Sequence, residues 1–130
     1  MVIDTSAVIA MLFGEPEWSR LAEAIELDPT RLISSVSIFE ASIVTFARLG
    51  EDGIDDLDLL LTRIQADSIG FRPAELAVAR EAYFRFGKGR HPAALNFGDC
   101  FSYALAVSTN QPLLFKGDDF SKTDLAIVPY

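Results

Sequence analysis

One cysteine, one histidine and one tryptophan occur among the 130 residues. The lone Cys100 excludes an internal disulfide and fits a reducing compartment. With Cys100 and His91 the only residues of their kinds, a zinc-type Cys/His cluster has too few ligands, and a Ser-His-Asp triad would hang on one side chain in a basic loop. No G-x-S-x-G, G-x-G-x-x-G or Walker A motif occurs. No apolar run approaches the ~20 residues that span a bilayer. No charged segment followed by a long apolar one opens the chain, so export by a signal peptide is not expected and the cytoplasm is the expected setting. Basic residues are scarce too, 11 against 19 acidic ones, for a formal charge of −8. That balance excludes a module that grips nucleic acid through a uniform basic stripe.

Apolar residues, in contrast, make up 50% of the chain, enough to build a core and too many for disorder. No repeat, low-complexity tract or long linker divides it, so one domain is expected over residues 1–130. The acidic surplus lies wholly in the first half. Residues 1–65 carry 12 acids and 4 basic residues, whereas residues 66–130 carry 7 of each. Much of the surplus is Glu51, Asp52, Asp55, Asp56 and Asp58.

Short apolar runs alternate with segments of helical period. Met1 to Ile3 suits a buried strand ending at Asp4; Thr5 or Ser6 can cap a helix over Ala7 to Phe13, closed by Gly14. Trp18, Leu21, Ala22 and Ile25 mark a second helix, broken by Asp28-Pro29, and Arg31 to Ser34 reads as a strand. Ser35 or Ser37 starts a long helix that Gly50 ends. Ile54, Leu57, Leu61 and Ile64 form an amphipathic helix with the acidic cluster outward. Ile69 to Phe71 reads as a strand, Pro73 opens a helix, and Phe97, Phe101 and Leu105 form the core stripe of another. Pro112 to Phe115 and Leu125 to Val128 read as strands. Alternation of this kind predicts an α/β fold with a parallel sheet and helices on both faces, whose ligand site lies beyond the carboxyl ends of the strands.

Several carboxylates sit where that site would be. Asp4 follows the first strand, Asp118 and Asp119 follow a later one, Asp99 opens a helix, and Glu40 lies in the apolar run Ile38 to Val44. Singly, each has an ordinary explanation as a cap, a turn residue or an exposed helical acid. Together they imply a cation, because converging carboxylates repel. Hard oxygen donors without Cys or His clusters suit Mg²⁺, with Mn²⁺ as the substitute, and such a site fits metal-assisted phosphoryl chemistry.

These residues carry a resemblance. The opening Met1-Val-Ile-Asp-Thr-Ser-Ala, Glu40 in its helix, Asn96-Phe-Gly-Asp-Cys and Leu114-Phe-Lys-Gly-Asp-Asp-Phe resemble the PIN domain, and within it the VapC ribonuclease toxins of type II toxin–antitoxin pairs. The likeness covers essentially the whole chain. It implies a three-layer α/β/α domain with a central, mostly parallel sheet. It implies a Mg²⁺-dependent endoribonuclease that hydrolyses RNA with metal-activated water, forms a homodimer and is neutralised by a VapB antitoxin. By the same resemblance Asp4, Glu40 and Asp99 match the metal-binding and catalytic acids. The fourth acid falls at Asp118 or Asp119, with Asp118 favoured and Asp119 able to close the turn before Phe120. Thr5 and Ser6 match hydroxyl positions that bind the ion's waters or cap the helix.

RNA must still meet positive charge on an acidic protein, and Arg80, Arg85, Lys88, Arg90 and Lys116 cluster near the acidic motifs. Two other readings remain: a phosphoacceptor signalling domain, which wants paired acids right after the first strand, and a catalytically silent PIN-like module that only binds a partner. The acidic face of residues 51–58 is expected to lie away from RNA.

Overall fold

Met1 and Ile3 pack into one apolar layer and Val2 into the other, as the two-residue period of a strand requires. In the computed structural model, which describes residues 1–130, this run forms β1 (Val2–Ile3). Beside it lie β2 (Leu32–Ser34), β3 (Asp67–Ile69) and β4 (Leu113–Leu114), in spatial order β3-β2-β1-β4 and all parallel. The connections carry α1 (Thr5–Leu12), α2 (Trp18–Leu27), α3 (Ser35–Arg63), α4 (Pro73–Phe86) and α5 (Asp99–Thr109). A short 3₁₀ turn (Phe120–Lys122) follows β4.

Two cores result, one on each face of the sheet. Ala7, Val8, Leu21, Ile25, Ala41 and Leu57 from α1, α2 and α3 bury Met1, Ile3, Ile33 and Leu114. Ala79, Ala82 and Phe86 of α4 and Cys100, Tyr103 and Leu105 of α5 bury Val2 and Leu113. Covering both faces is what permits a parallel sheet with near-continuous apolar strands. No helix is long and apolar enough to cross a membrane.

Strands run directly into helices at the two places that matter for the site. Asp4 caps α1 by accepting a hydrogen bond from Ser6 N (2.9 Å), and Ser34 caps α3 by accepting one from Val36 N (3.2 Å). Each cap is therefore the last residue of the strand exit, just ahead of the Thr5/Ser6 and Ser35/Ser37 positions expected from sequence. Gly50 does interrupt the long helix, with φ 69° and ψ −152° inside α3, a conformation open to glycine without a Cβ clash.

Three expectations are corrected. Leu125 to Val128 is not a strand: only Ile127 bridges to Leu113, and Pro129, lacking an N–H, cannot extend the ladder. The third strand lies at Asp67–Ile69, not Ile69 to Phe71. The stripe Phe97, Phe101 and Leu105 is not all core, because α5 begins only at Asp99; Phe97 precedes it and is 75% exposed, while Leu105 is buried.

Two polar links, the first centred on the buried Glu75 and the second on the half-exposed Asp124, tie α4 and α5 together. Burial would raise Glu75, yet hydrogen bonds from the Arg72 backbone, the Arg72 side chain and Ser108 hold its carboxyl below the usual range. Tyr103 Oη donates to Asp124 Oδ1 (2.6 Å), and Arg85 pairs with Asp124 Oδ2 (2.8 Å), which pins the C-terminal segment against both helices.

Candidate functional site

From β1 the chain steps outward to β2 and β3, then returns to β4 on the other side of β1, so the topology reverses between β1 and β4. Asp4 leaves β1 at that switch point, and the Asp118–Asp119 turn leaves β4 beside it. The start of α3 brings in Glu40 and the start of α5 brings in Asp99.

Asp4 is only 3% exposed, and three donors meet it. Its Oδ2 accepts from Ser6 N (2.9 Å) and Ser6 Oγ (2.6 Å), and its Oδ1 accepts from Ser102 Oγ (2.6 Å). Ser6 Oγ in turn accepts from Lys116 N (2.9 Å), which fastens the segment after β4 to the first helix. Thr5 Oγ1 donates to Glu40 Oε2 (2.7 Å) and lies 3.3 Å from Ser37 O, joining α1 to α3. Thus Thr5 and Ser6 both serve carboxylates, each a different one.

Asp99 is held by a reciprocal pair of bonds: Asn96 N donates to Asp99 Oδ2 (2.7 Å), and Asp99 N donates to Asn96 Oδ1 (3.0 Å). Burial, followed by the charges of Asp4, Asp119 and Glu40, pushes its carboxyl up to about 7, against the lowering effect of the Asn96 N–H. The electrostatics thereby gather Asp4, Glu40, Asp99 and Asp119 into one field. Of the adjacent pair after β4, the Asp119 charge is among those that raise Asp99, and the Asp118 backbone carbonyl accepts from Ser121 Oγ (2.6 Å).

The donor set consists of hard oxygens with mutual repulsion, which fits Mg²⁺ or Mn²⁺ and not a softer ion. The acids approach one another without closing into a ligand group: no three His, Cys, Asp or Glu side chains are gathered closely enough to hold a metal as they stand. Gly98 shapes the same space. A Cβ there would lie 2.4 Å from Glu40 Oε2 and 2.6 Å from Oε1, so the Glu40 carboxylate occupies the room that a side chain would need.

The five basic candidates separate. Arg80, Lys88 and Arg90 form no ion pair, and Arg80 lies over the Phe84 ring at 5.8 Å. Arg85 is engaged with Asp124, and Lys116 with Glu15 and Glu17, Glu15 foremost, which raises the Lys116 ammonium above its ordinary value. Those two therefore have structural duties that the sequence reading did not foresee. Cys100 is a buried thiol pushed up to about 11 by burial and by Asp99, consistent with packing and not nucleophilic chemistry. His91 accepts from Ala93 N through Nδ1 (3.1 Å) and stands edge-on to Phe86, a loop anchor away from the acids.

Sequence reasoning missed Ser37, Ser102, Asn96 and Gly98. A signal existed for the two serines. Ser102 lies three residues after Asp99 and Ser37 three before Glu40, and that spacing puts each on the same helix face as its acid.

The parallel sheet is covered by helices on both faces and carries acids at its switch point, and the PIN domain family model matches residues 1–125. The chain belongs to the PIN domain family, and within it to the VapC ribonucleases. It is 52% identical over 128 residues to ribonuclease VapC30 of Mycobacterium tuberculosis, covering 98% of each chain. It is 50% identical to ribonuclease VapC of Mycolicibacterium smegmatis, covering 98% of this chain and 99% of that one. Two solved structures share the fold at low identity. The M. tuberculosis VapC20 toxin, described as cleaving the sarcin–ricin loop, superposes with a TM-score of 0.77 at 15% identity, covering 98% of both chains. The Rickettsia felis VapBC2 complex, bound to a promoter DNA fragment, gives 0.76 at 18% identity, covering 98% of this chain and 96% of that one.

Proposed function

We propose that the protein is a Mg²⁺-dependent endoribonuclease, the toxin of a VapBC pair, acting on RNA in the cytoplasm and neutralised by a VapB antitoxin. The observation that carries this reading is the gathering of Asp4, Glu40, Asp99 and Asp119 at the strand carboxyl ends, where burial first and then the charges of Asp4, Asp119 and Glu40 push the Asp99 carboxyl up to about 7. Carboxylates arranged at such a cost need a cation, and the VapC ribonuclease relatives supply the chemistry to which it belongs.

Asp4, Glu40, Asp99 and Asp119 would hold the metal. When bound, Mg²⁺ supplies a Lewis acid that activates water and offsets charge on the phosphodiester. The remaining work falls to the chain. Ser6 and Ser102 hold the Asp4 carboxylate, Thr5 holds Glu40, and the Asn96 amide holds Asp99, so the acids keep their places before substrate arrives. Arg80, Lys88 and Arg90 are free to meet the phosphates on either side of the cut.

Protein partners fit the surface. Phe39, Ile43, Phe46 and Leu49 form an exposed apolar stripe along α3. A groove of about 570 Å³ between α4 and α5 is walled by Phe71, Leu76, Tyr83, Phe84, Phe97 and Phe101. Two such faces support two protein contacts, an antitoxin and a second copy of this chain. Nothing favours the phosphoacceptor reading, since Asp4 is buried under three donors and followed by Thr5 and Ser6.

The purified protein should cut one or a few RNAs from total RNA in Mg²⁺, EDTA should stop it, and co-purified antitoxin should suppress it. Mapping RNA ends after brief induction of the parent and Asp99→Asn identifies the target. Equal cleavage by the two, or cleavage unaffected by EDTA, would overturn the proposal.

A further inference from the structure

Asp4 is held by a chain of hydroxyls that crosses three elements. Ser102 of α5 is wholly buried and donates to Asp4 Oδ1 at 2.6 Å. Ser37 of α3, 1% exposed, lies 3.1 Å from Ser102 Oγ. A serine hydroxyl has one proton, and Ser102 gives its own to Asp4, so the proton between the serines belongs to Ser37. The order is Ser37 to Ser102 to Asp4. A carboxylate offers about four acceptor directions. Ser6 takes two on Oδ2 and Ser102 takes one on Oδ1, which leaves a single direction, on Oδ1.

We propose that Ser102 is a positioning residue: with Ser37 behind it, it fixes the Asp4 carboxylate so that Oδ1 is the oxygen offered to the divalent cation. The inference rests on the reading of the site given above. Two observations separate it from ordinary packing. An apolar residue would fill the same space, whereas two buried hydroxyls need every bond satisfied, and here the chain of donors ends on a site acid. Asp99 and Ser102 also share one face of α5, so the helix that brings in one acid orients another.

The test measures Mn²⁺ binding to the intact protein by calorimetry, alongside thermal melting, for the parent, Ser102→Ala, Ser37→Ala and Ser102→Thr. Loss of a hydroxyl that orients a ligand typically weakens metal binding about 10–100-fold. Ser102→Ala should show a loss in that range, Ser37→Ala a smaller one, since Ser102 keeps its proton for Asp4, and Ser102→Thr should recover most of the affinity. Melting should fall in both alanine variants and further in Ser102→Ala, which loses two hydrogen bonds, one of them to a carboxylate. Parental affinity in Ser102→Ala, or a larger loss in Ser37→Ala than in Ser102→Ala, would overturn the role while leaving the site reading intact. A parent that binds no Mn²⁺ and cuts no RNA would overturn both.

Discussion

Gly98 and Glu40 share one space: a Cβ on residue 98 would come within 2.4 Å of the Glu40 carboxylate. Gly98 itself has ordinary helical backbone angles (φ −63°, ψ −43°), so its lack of a side chain serves the neighbouring acid and not its own conformation. The atom that would have to move is the end of a flexible side chain. Gly98→Ala should therefore change stability by no more than about 1 kcal/mol, the scale of a Gly-to-Ala backbone effect. Displacing Glu40 from its bond with Thr5 should meanwhile slow RNA cleavage by about 10–100-fold, as for other disturbed metal-site partners. Melting and cleavage measured side by side check this; wild-type cleavage in Gly98→Ala would show that Glu40 is not needed where it stands.

Asp99 makes stability depend on pH in a stated direction. Its carboxyl stands at about 7 in the folded protein against an ordinary value of 3.8, raised by burial and then by Asp4, Asp119 and Glu40. Between those values the folded state binds the proton and the unfolded state does not, so this group's contribution is whole at low pH and lost as pH rises through about 7. In EDTA, Asp99→Asn should melt progressively higher than the parent as pH goes from 5 to 8, conditions chosen to bracket that value. Added Mg²⁺ should stabilise the parent most at pH 8, because it binds the ionised form. A gap between parent and variant that narrows with rising pH would contradict the assignment.

How far the sequence disclosed the site follows from which features are local. Asp4 at a strand exit, Glu40 within an apolar helical run and Asp99 at a helix start are legible because each breaks a local pattern. The parallel sheet is legible because the strands alternate with helices. Spacing puts Ser37 and Ser102 on the faces of their acids, but the bond between the two hydroxyls and the one from Ser102 to Asp4 exist only once α3 and α5 flank the end of β1, a long-range fact. The same holds for Lys116, whose partners Glu15 and Glu17 lie a hundred residues away in the chain, and for Arg85, spoken for by Asp124. Phe97 misled because its four-residue step to Phe101 mimics a helix that in fact starts between them.

Charge at the surface should divide by the same distinction. Each phosphate contact on single-stranded nucleic acid contributes about 0.7 to the slope of log affinity against log salt concentration. Arg80→Ala, Lys88→Ala and Arg90→Ala, measured with catalytically dead Asp99→Asn protein and bound RNA, should each flatten the slope by about that amount. Lys116→Ala should leave the slope alone and lower the melting temperature, since it removes an internal tie. Asp52, Asp55, Asp56 and Asp58 lie exposed beyond the Gly50 break, and replacing them together with Asn should leave cleavage within about threefold if that face stands clear of the RNA. A slope that falls with Lys116→Ala and not with the other three would reverse the division.

The adjacent acids after β4 give the sharpest choice. Both are exposed, and the Asp119 charge is among the leading ones that raise Asp99. Asp119 begins the 3₁₀ turn at Phe120–Lys122, and burial of Phe120, stacked edge-on against Phe115 at 5.1 Å, anchors the residue immediately after it. Asp118, one residue earlier, follows the left-handed Gly117 (φ 109°) and uses its carbonyl to accept from Ser121. Asp119→Asn should therefore slow cleavage by about 10–100-fold and weaken Mn²⁺ binding, as loss of a metal-site partner does, whereas Asp118→Asn should do neither. Asp119→Asn should also lower the Asp99 carboxyl, because one of the charges holding it up has gone; its titration can be followed by carboxyl-carbon NMR in the metal-free protein. Loss of cleavage in Asp118→Asn with an unchanged Asp119→Asn would restore Asp118 as the fourth acid and break the link between that charge and the reaction.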